Sequence, residues 1–289
     1  MTTYFGIEGL DHYAYGIKSY EEISRLRQHL LAEFMQPDGA DAHFLIIGAG
    51  PTGVELASSL GEYLKHLKKK YRQPGPHMSI NIIEAAPRVL PRMSEQASAK
   101  VLARLKRLGV HVELNKKVEK ETADELVVSG RPIKSHTVIW TSGVANNPFF
   151  KANESQFKLN PAGRVLVDTH MRADKHIYVI GDNAVTPFGG LAQTALHDGI
   201  YVAKQILHKS NKKYKAKQPP VVVPIGEGWA IFEYKKIRFG GWAGAMIRQA
   251  ADFIGYRDIL PLGQALGVWR AQRIKEDAVY IPEIDTPKE

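Results

Sequence analysis

Three glycines and a carboxylate are the residues of this chain whose types and spacing most directly imply chemistry. Gly48, Gly50 and Gly53 stand in FLIIGAGPTGVELASSL, a G-x-G-x-x-G pattern set between a short apolar run and a helix-forming one. In a strand–turn–helix unit the first glycine allows the tight bend and the second lets a pyrophosphate approach the backbone. The third lets helix and strand pack closely. The helix N-terminus then offers amide donors and partial positive charge to phosphates. Pro51 and Thr52, in the same turn, are counted with the glycines as cofactor-binding, and Ala57 is small enough to preserve the close packing.

Glu84 ends the next apolar run, SINIIEA. A carboxylate there accepts from both hydroxyls of an adenosine ribose, which favours NADH over NADPH. It lies 31 residues beyond Gly53, against roughly 20 in the usual pattern. The long intervening helix and a Pro-Gly-Pro loop at Pro74–Pro76 account for the excess. Arg88, nearby, could instead meet a 2′-phosphate. Glu55 is open to two readings: a first-turn glutamate stabilised by the helix dipole, or a group placed beside the cofactor. A second pair, Gly181 and Asp182, closes HIYVIGDNA. There the glycine permits close backbone approach and the aspartate can accept from a sugar-like hydroxyl; a surface turn is the plainer alternative. LAQTALHDG follows, a helix start whose amides could face a flavin ring.

The elements that must position these residues alternate. YEEISRLRQHLLAEFMQ (residues 20–36) has Ile23, Leu26, Leu30, Leu31 and Phe34 at helical spacing, ended by Pro37-Asp38-Gly39. A buried strand precedes the glycine turn, and a helix runs from about Thr52 to the Pro-Gly-Pro loop. SEQASAKVLARLKRLG is a helix capped by Ser94 and stopped at Gly109. VHVELN, ELVVSG and TVIWTSG read as strands, as do GRVLVDTHM and HIYVIGDNA further on. Strand, helix, strand, helix, strand is a doubly wound α/β pattern.

Composition is that of an ordinary soluble globular protein: 289 residues, 44% hydrophobic and 24% charged. No apolar run reaches the ~18 residues a spanning helix requires, and MTTYFGIEGLDHY lacks the basic head and apolar stretch of a signal peptide. With no cysteine there are no disulfides, thiolate metal sites or cysteine nucleophiles. No His/Asp/Glu cluster has metal-ligand spacing. The formal charge of +9 gathers in KHLKKKYRQ (65–73) and KQILHKSNKKYKAK (204–217). These are either solvated helix ends and a linker, or attraction to an anionic membrane face, about 1 kcal/mol per well-placed residue. Nucleic acid is not an expected partner, since no nucleic-acid module or aromatic-interleaved basic stripe is present.

In order, IIGAGPTGVELA, NIIEAAPRVLPRMSE, VIWTSGV, IYVIGDNA and AQTALHDG resemble the type II (non-proton-pumping) NADH dehydrogenases. These belong to the FAD-dependent pyridine nucleotide-disulfide oxidoreductase superfamily. The upstream TTYFGIEGLDHYAYGIKSYEEISRLRQHL is similar as well, so the resemblance covers about residues 3–207. It implies a Rossmann-like NADH-binding domain (43–150) inserted in a partial FAD-binding domain (1–42 and 151–210). Hydride would pass from NADH to FAD, and electrons then to a membrane quinone. Gly48, Gly50, Gly53 and Glu84 would hold NADH, Glu55 would lie near the nicotinamide as the catalytic residue, and Gly143 would belong to the wall of the NADH site. Asp182, with Gly181, would bind the ribityl chain of the flavin. Gln193, Thr194 and Ala195 would lie beside the isoalloxazine, near the quinone end.

The chain departs from that family's A-Q-x-A-x-Q motif, with Leu196 or His197 where the second glutamine is expected; His197 also reads as a surface helix residue. The glycine-rich unit for the ADP half of FAD would precede residue 1, so the chain is expected to begin in the middle of a flavoprotein. Rival readings are another two-dinucleotide-domain flavoprotein, of the sulfide:quinone or ferredoxin reductase type, or an NADH-binding fragment without turnover. After a Lys- and Pro-rich linker (210–220), residues 211–289 form an α+β unit with strand-like alternation over Trp229–Phe239 and then helices. Met246, Ile247, Ala250, Phe253 and Ile254 share one face, and a last helix from Leu262 to about Lys275 sets Leu266 and Trp269 against Arg270 and Arg273. These helices either cover a core or anchor the chain at a lipid boundary. The resemblance favours the anchor and a peripheral place on the cytoplasmic side of a membrane; a homodimer is left open.

Overall fold

A computed structural model describes residues 2–34, 42–71, 78–208 and 212–271. Its first segment lies across the others. A one-turn helix, α1 (Leu10–Tyr13), buries Leu10, and α2 (Tyr20–Phe34) buries Leu26 and Leu30. Ser19 and Glu22 form a capping box at the start of α2: each side chain accepts from the other's amide at 3.2 Å. The Pro37-Asp38-Gly39 and Pro-Gly-Pro stops lie outside the described residues.

Next come β1 (Ala42–Ile47), α3 (Pro51–Tyr71), β2 (Met78–Ile83), α4 (Glu95–Arg107) and β3 (Val110–Glu113). An antiparallel sheet, β4 (Val118–Glu121), β5 (Glu125–Val128) and β6 (Arg131–Lys134), interrupts before β7 (Thr137–Trp140) rejoins the first sheet. That sheet has the order β3-β2-β1-β7 and is parallel throughout. Its strands read as continuous apolar runs because both faces are covered. Phe44 and Ile46 face the α3/α4 side with Val54, Ala57, Leu60, Val101 and Leu105. Their neighbours Leu45 and Ile47 face the other side, against Leu10, Leu126 and Trp140, as the two-residue period of a strand requires. Ser94 caps α4 as expected, its Oγ accepting from the Ala97 amide at 3.3 Å.

Beyond α5 (Pro148–Ala152) the structure corrects the sequence reading. GRVLVDTHM forms no ladder, and HIYVIGDNA contributes only β9 (Ile177–Tyr178), paired antiparallel with β8 (Arg172–Asp174). The chain reverses too soon for longer strands. Met171 takes a left-handed φ of 64°, and Asp168 Oδ1 collects the amides of His170 and Arg172 at 2.7 and 2.9 Å. Val165 is left with single bridges to Leu159 and Ala184. α6 (Ala192–His208) packs over this region, with Val202 against Phe157, Met171 and Val179.

The last unit is α+β, as expected. β10 (Val221–Pro224), β11 (Ala230–Tyr234) and β12 (Ile237–Gly241) form an antiparallel meander, followed by α7 (Trp242–Ile259) and α8 (Leu262–Ala271). Val223, Ile225 and Ile231 join the same core as α3 and α4. Polar contacts reinforce the join: Glu233 accepts from the Ser94 amide (3.1 Å) and hydroxyl, Arg104 Nε donates to Ile225 O (3.3 Å), and Glu62 accepts from the Glu227 amide (2.7 Å). α8 holds α7 through the Phe253–Trp269 ring contact and a Trp269 Nε1 bond to Gln249 O (3.0 Å). No described helix is long and apolar enough to cross a membrane.

Glu121, ending β4, lies under the first segment. It is 5% exposed, its amide bonds Glu8 O at 2.9 Å, and its Oε2 finds no hydrogen-bond partner among the described residues. Burial raises its carboxyl from 4.5 to about 8. The folded chain therefore keeps a proton that the unfolded chain releases near its ordinary value. Stability should fall as pH rises through that window and level off above about 8, with a slope of at most ~1.4 kcal/mol per pH unit. Urea unfolding across the window should show this slope in the parent chain and lose it in Glu121→Gln.

Candidate functional site

The glycine turn follows β1 directly, at the carboxyl end of the parallel sheet where ligands bind in such folds. Its three glycines do different things. Gly48, at φ 104°, turns the chain, and a Cβ there would meet Ser142 Oγ at 2.1 Å. A Cβ on Gly53 would meet Gly48 O at 1.9 Å, so α3 rests on the strand end with only a hydrogen between. Around Gly50 nothing lies within 4 Å of where a Cβ would point. That open flank is the space a pyrophosphate needs. Pro51 opens α3, where its missing amide costs nothing. The bond from Val54 N to Gly50 O (3.1 Å) leaves the Thr52 and Gly53 amides outside the helical ladder.

Glu84 directly follows β2 and is tied to this turn. Its Oε2 accepts from the Ala49 amide at 2.6 Å and its Oε1 from the Ala86 amide at 2.7 Å. Each carboxylate oxygen has a further lone pair with which to accept from a ribose hydroxyl. Arg88, the rival for a 2′-phosphate, is engaged elsewhere: Nη2 donates to Pro91 O at 2.9 Å and Nη1 lies 3.6 Å from Glu95. Directly after β7, Thr141 Oγ1 donates to Ile47 O at 2.8 Å, completing the frame.

Glu55 is half-buried in α3. Burial raises its carboxyl above the usual range; Arg248 of α7 opposes the shift and Asp252 reinforces it. That α7 supplies the charges around Glu55 is not readable locally. Gly143 follows β7 with Thr3 and Phe5 against it, so that a Cβ would come within 2.7 Å of Thr3. Trp140 Nε1 donates to Thr3 O at 2.8 Å. Gly143 is thus a seat for the first residues of the chain.

The second constellation forms where α6 starts. Gly181 is buried at φ 63°, and its missing Cβ would lie 3.3 Å from that of Ala195. Asp182 is exposed, with Oδ1 accepting from the Gly190 amide at 3.1 Å. Thr194 is buried and donates to Phe188 O at 2.9 Å; Gln193 is exposed. Gln193 and His197 line a cleft of about 400 Å³ with Lys217, Gln218, Tyr234 and Lys235. His197 is half-buried, its Nε2 3.1 Å from Lys215 O. Asp198, wholly buried beneath Gly181, is not foreseen from the sequence, because an aspartate in the second turn of a helix gives no local signal.

A parallel sheet with a glycine turn at its carboxyl edge and a carboxylate ending the next strand defines a dinucleotide-binding α/β protein. The pyridine nucleotide-disulphide oxidoreductase family matches over residues 1–199, and the chain belongs to that family. It is 28% identical over 285 aligned positions to the type II NADH:quinone oxidoreductase Ndh of Mycobacterium tuberculosis, covering 88% of this chain and 62% of that one. With the type II NADH:quinone oxidoreductase of Staphylococcus haemolyticus it shares 29% over 221 positions, 70% of this chain and 54% of the other. The chain thus spans about three fifths of the length of the first and about half of the second. The structure of NDH2 from Plasmodium falciparum in complex with NADH has the same fold, at TM-score 0.81 and 16% identity, over 95% of this chain and 76% of that one.

Gly53 and Gly50 predict separable defects. Gly53→Val should destabilise the chain by several kcal/mol, because the added atoms fall on a backbone carbonyl. Gly50→Val should leave the melting temperature unchanged and weaken NADH binding by at least ~tenfold, because it fills the open flank. Thermal melts and NADH titrations of both variants check this.

Proposed function

We propose that this chain carries the NADH-oxidising chemistry of an FAD-dependent NADH:quinone oxidoreductase. In this reading residues 43–150 bind NADH, 1–42 and 151–210 belong to an FAD-binding domain, and 211–289 face a membrane. The observation that carries it is the glycine turn, open at Gly50 and closed at Gly48 and Gly53, with the Glu84 carboxylate fastened to its backbone. The type II NADH:quinone oxidoreductases to which the chain is similar, and the NADH complex that shares its fold, support the same reading.

The residues act by holding and orienting. The Thr52 and Gly53 amides and the helix dipole of α3 receive the pyrophosphate. Glu84 accepts from the adenosine ribose, and its bonds to Ala49 and Ala86 keep it in place before the ligand arrives. Glu55, with its carboxyl raised above the usual range by burial, would lie at the nicotinamide end. Asp182 takes a hydroxyl of the ribityl chain, and the first turn of α6 (Gln193, Thr194, Ala195) borders the flavin ring. FAD, when bound, supplies hydride acceptance and onward electron transfer. The residues around its site fit: a left-handed glycine closely approached by Ala195, an exposed carboxylate and a helix start lie together. The quinone would enter through the cleft of Gln193 and His197.

Peripheral attachment on the cytoplasmic side of a respiratory membrane is the companion reading. Along α7, Trp242, Met246, Ala250 and Ile254 recur every fourth residue and are exposed, the three large ones at 77%, 58% and 54%. Ile259, which ends α7, and Leu262, which opens α8, are exposed as well. A helix with one bare apolar face beside basic residues suits the lipid interface.

Loading the purified chain with FAD, removing the excess and recording its visible spectrum tests the central claim. A retained flavin band that bleaches anaerobically with NADH is expected. NADH binding without retained flavin would restrict the chain to nucleotide binding. Sedimentation with anionic vesicles should fall roughly tenfold in a Trp242→Glu, Met246→Glu chain; unchanged sedimentation would remove α7 as the anchor.

A further inference from the structure

Asp198, in the second turn of α6, has no part in the chemistry proposed above, yet it is 0% exposed. A buried carboxyl group is costly unless donors satisfy it. Its two oxygens take donors from two different places. Oδ2 accepts from the Gly181 amide at 3.1 Å, and Oδ1 accepts from the Tyr214 hydroxyl at 2.5 Å. Burial and then Asp198 push the Tyr214 pKa up, so its hydroxyl stays a donor.

The two donors belong to parts of the chain with different duties. Gly181 is the pivot of the turn that presents Asp182. Tyr214 lies in the segment that leaves α6 for the C-terminal unit. Other bonds clasp that segment to its surroundings: Tyr201 Oη (2.6 Å) and Gln205 Nε2 (2.7 Å) donate to Lys212 O, and the Tyr214 amide donates to Thr169 O (2.8 Å). Among these described bonds, the Tyr214 hydroxyl alone reaches a group that also holds the turn.

We propose that Asp198 is the positioning residue of the Gly181–Asp182 turn, and that through Tyr214 it makes the shape of this turn depend on docking of the 212–215 segment. The catalytic consequence rests on reading this turn as part of the flavin site; the coupling does not. A displaced C-terminal unit would draw Tyr214 away, leave Oδ1 without its donor, and slacken the hold on Gly181.

Hydrogen exchange of the Gly181 amide, followed by NMR on the whole chain, tests the coupling without any cofactor. Tyr214→Phe should speed that exchange about tenfold, the scale of one lost hydrogen bond. Tyr201→Phe removes one of the two donors to Lys212 O, leaves Gln205 and the Tyr214–Asp198 bond to hold the segment, and should leave Gly181 unchanged. Asp198→Ala should speed exchange further. Asp198→Asn keeps an oxygen for Gly181 and an amide group that can donate to Tyr214 Oη, and should restore protection to within roughly threefold. If the two tyrosine variants behave alike, the coupling is wrong, and that comparison decides the matter even if Asp198→Ala fails to fold. In FAD titrations Tyr214→Phe should weaken binding and shift the flavin absorption band while Tyr201→Phe does neither. A parent chain that binds no FAD would remove the flavin reading and leave the Gly181 exchange to judge Asp198.

Discussion

The approach of α3 to β1, set by the carbonyl of Gly48, is the constraint on which the rest of the nucleotide site depends. With Gly53 resting on that oxygen, the helix axis comes to the strand end as close as two backbones allow. Only then do the first amides of α3 converge on the flank left open at Gly50. Each neighbouring strand gives one group to keep the carbonyl frame still: Thr141 after β7 donates to Ile47 O, and Glu84 after β2 takes the Ala49 amide. The order β2-β1-β7 is therefore part of the site, because a different neighbour on either side would bring a different group to the turn.

The two turns share a device. In each, a carboxyl group from an adjacent element accepts the amide of a residue in the turn: Glu84 for Ala49, Asp198 for Gly181. Bonds of this kind fix a backbone that has few side chains of its own to pack. The difference lies in what else the carboxyl touches. Glu84 takes its second amide from Ala86, two residues away, and is a closed local arrangement. Asp198 takes its second donor from Tyr214, so it answers to a part of the chain beyond α6.

What was legible in the sequence was local. The glycine turn, the carboxylate after the next strand and the Ser94 cap each depend on residues a few positions apart or on one strand's alternation. The capping box of Ser19 and Glu22 was equally local and equally present. The strands expected in GRVLVDTHM and HIYVIGDNA failed for a local reason too: Asp168 gathers two amides and turns the chain before a ladder can form. Most of what sequence could not show joins distant segments. Ser94 meets Glu233 across 139 positions, the charges around Glu55 come from α7, and the burial of Glu121 is made by the first residues of the chain. Apolar periodicity put Met246, Ile247, Ala250, Phe253 and Ile254 on one face of α7, but could not show that Trp269 of α8 packs on Phe253 while Met246, Ala250 and Ile254 stay exposed.

The way β10–β12 meet α3 and α4 makes the two units heritable only together. Val223, Ile225 and Ile231 occupy the same core as Leu60 and Leu105, and Glu233 closes the start of α4. A chimera that exchanged the C-terminal unit between two relatives while keeping the parental α3 and α4 would mismatch both the core and the cap. Substitutions on the faces of those two helices that meet the meander would therefore call for matching changes in the meander.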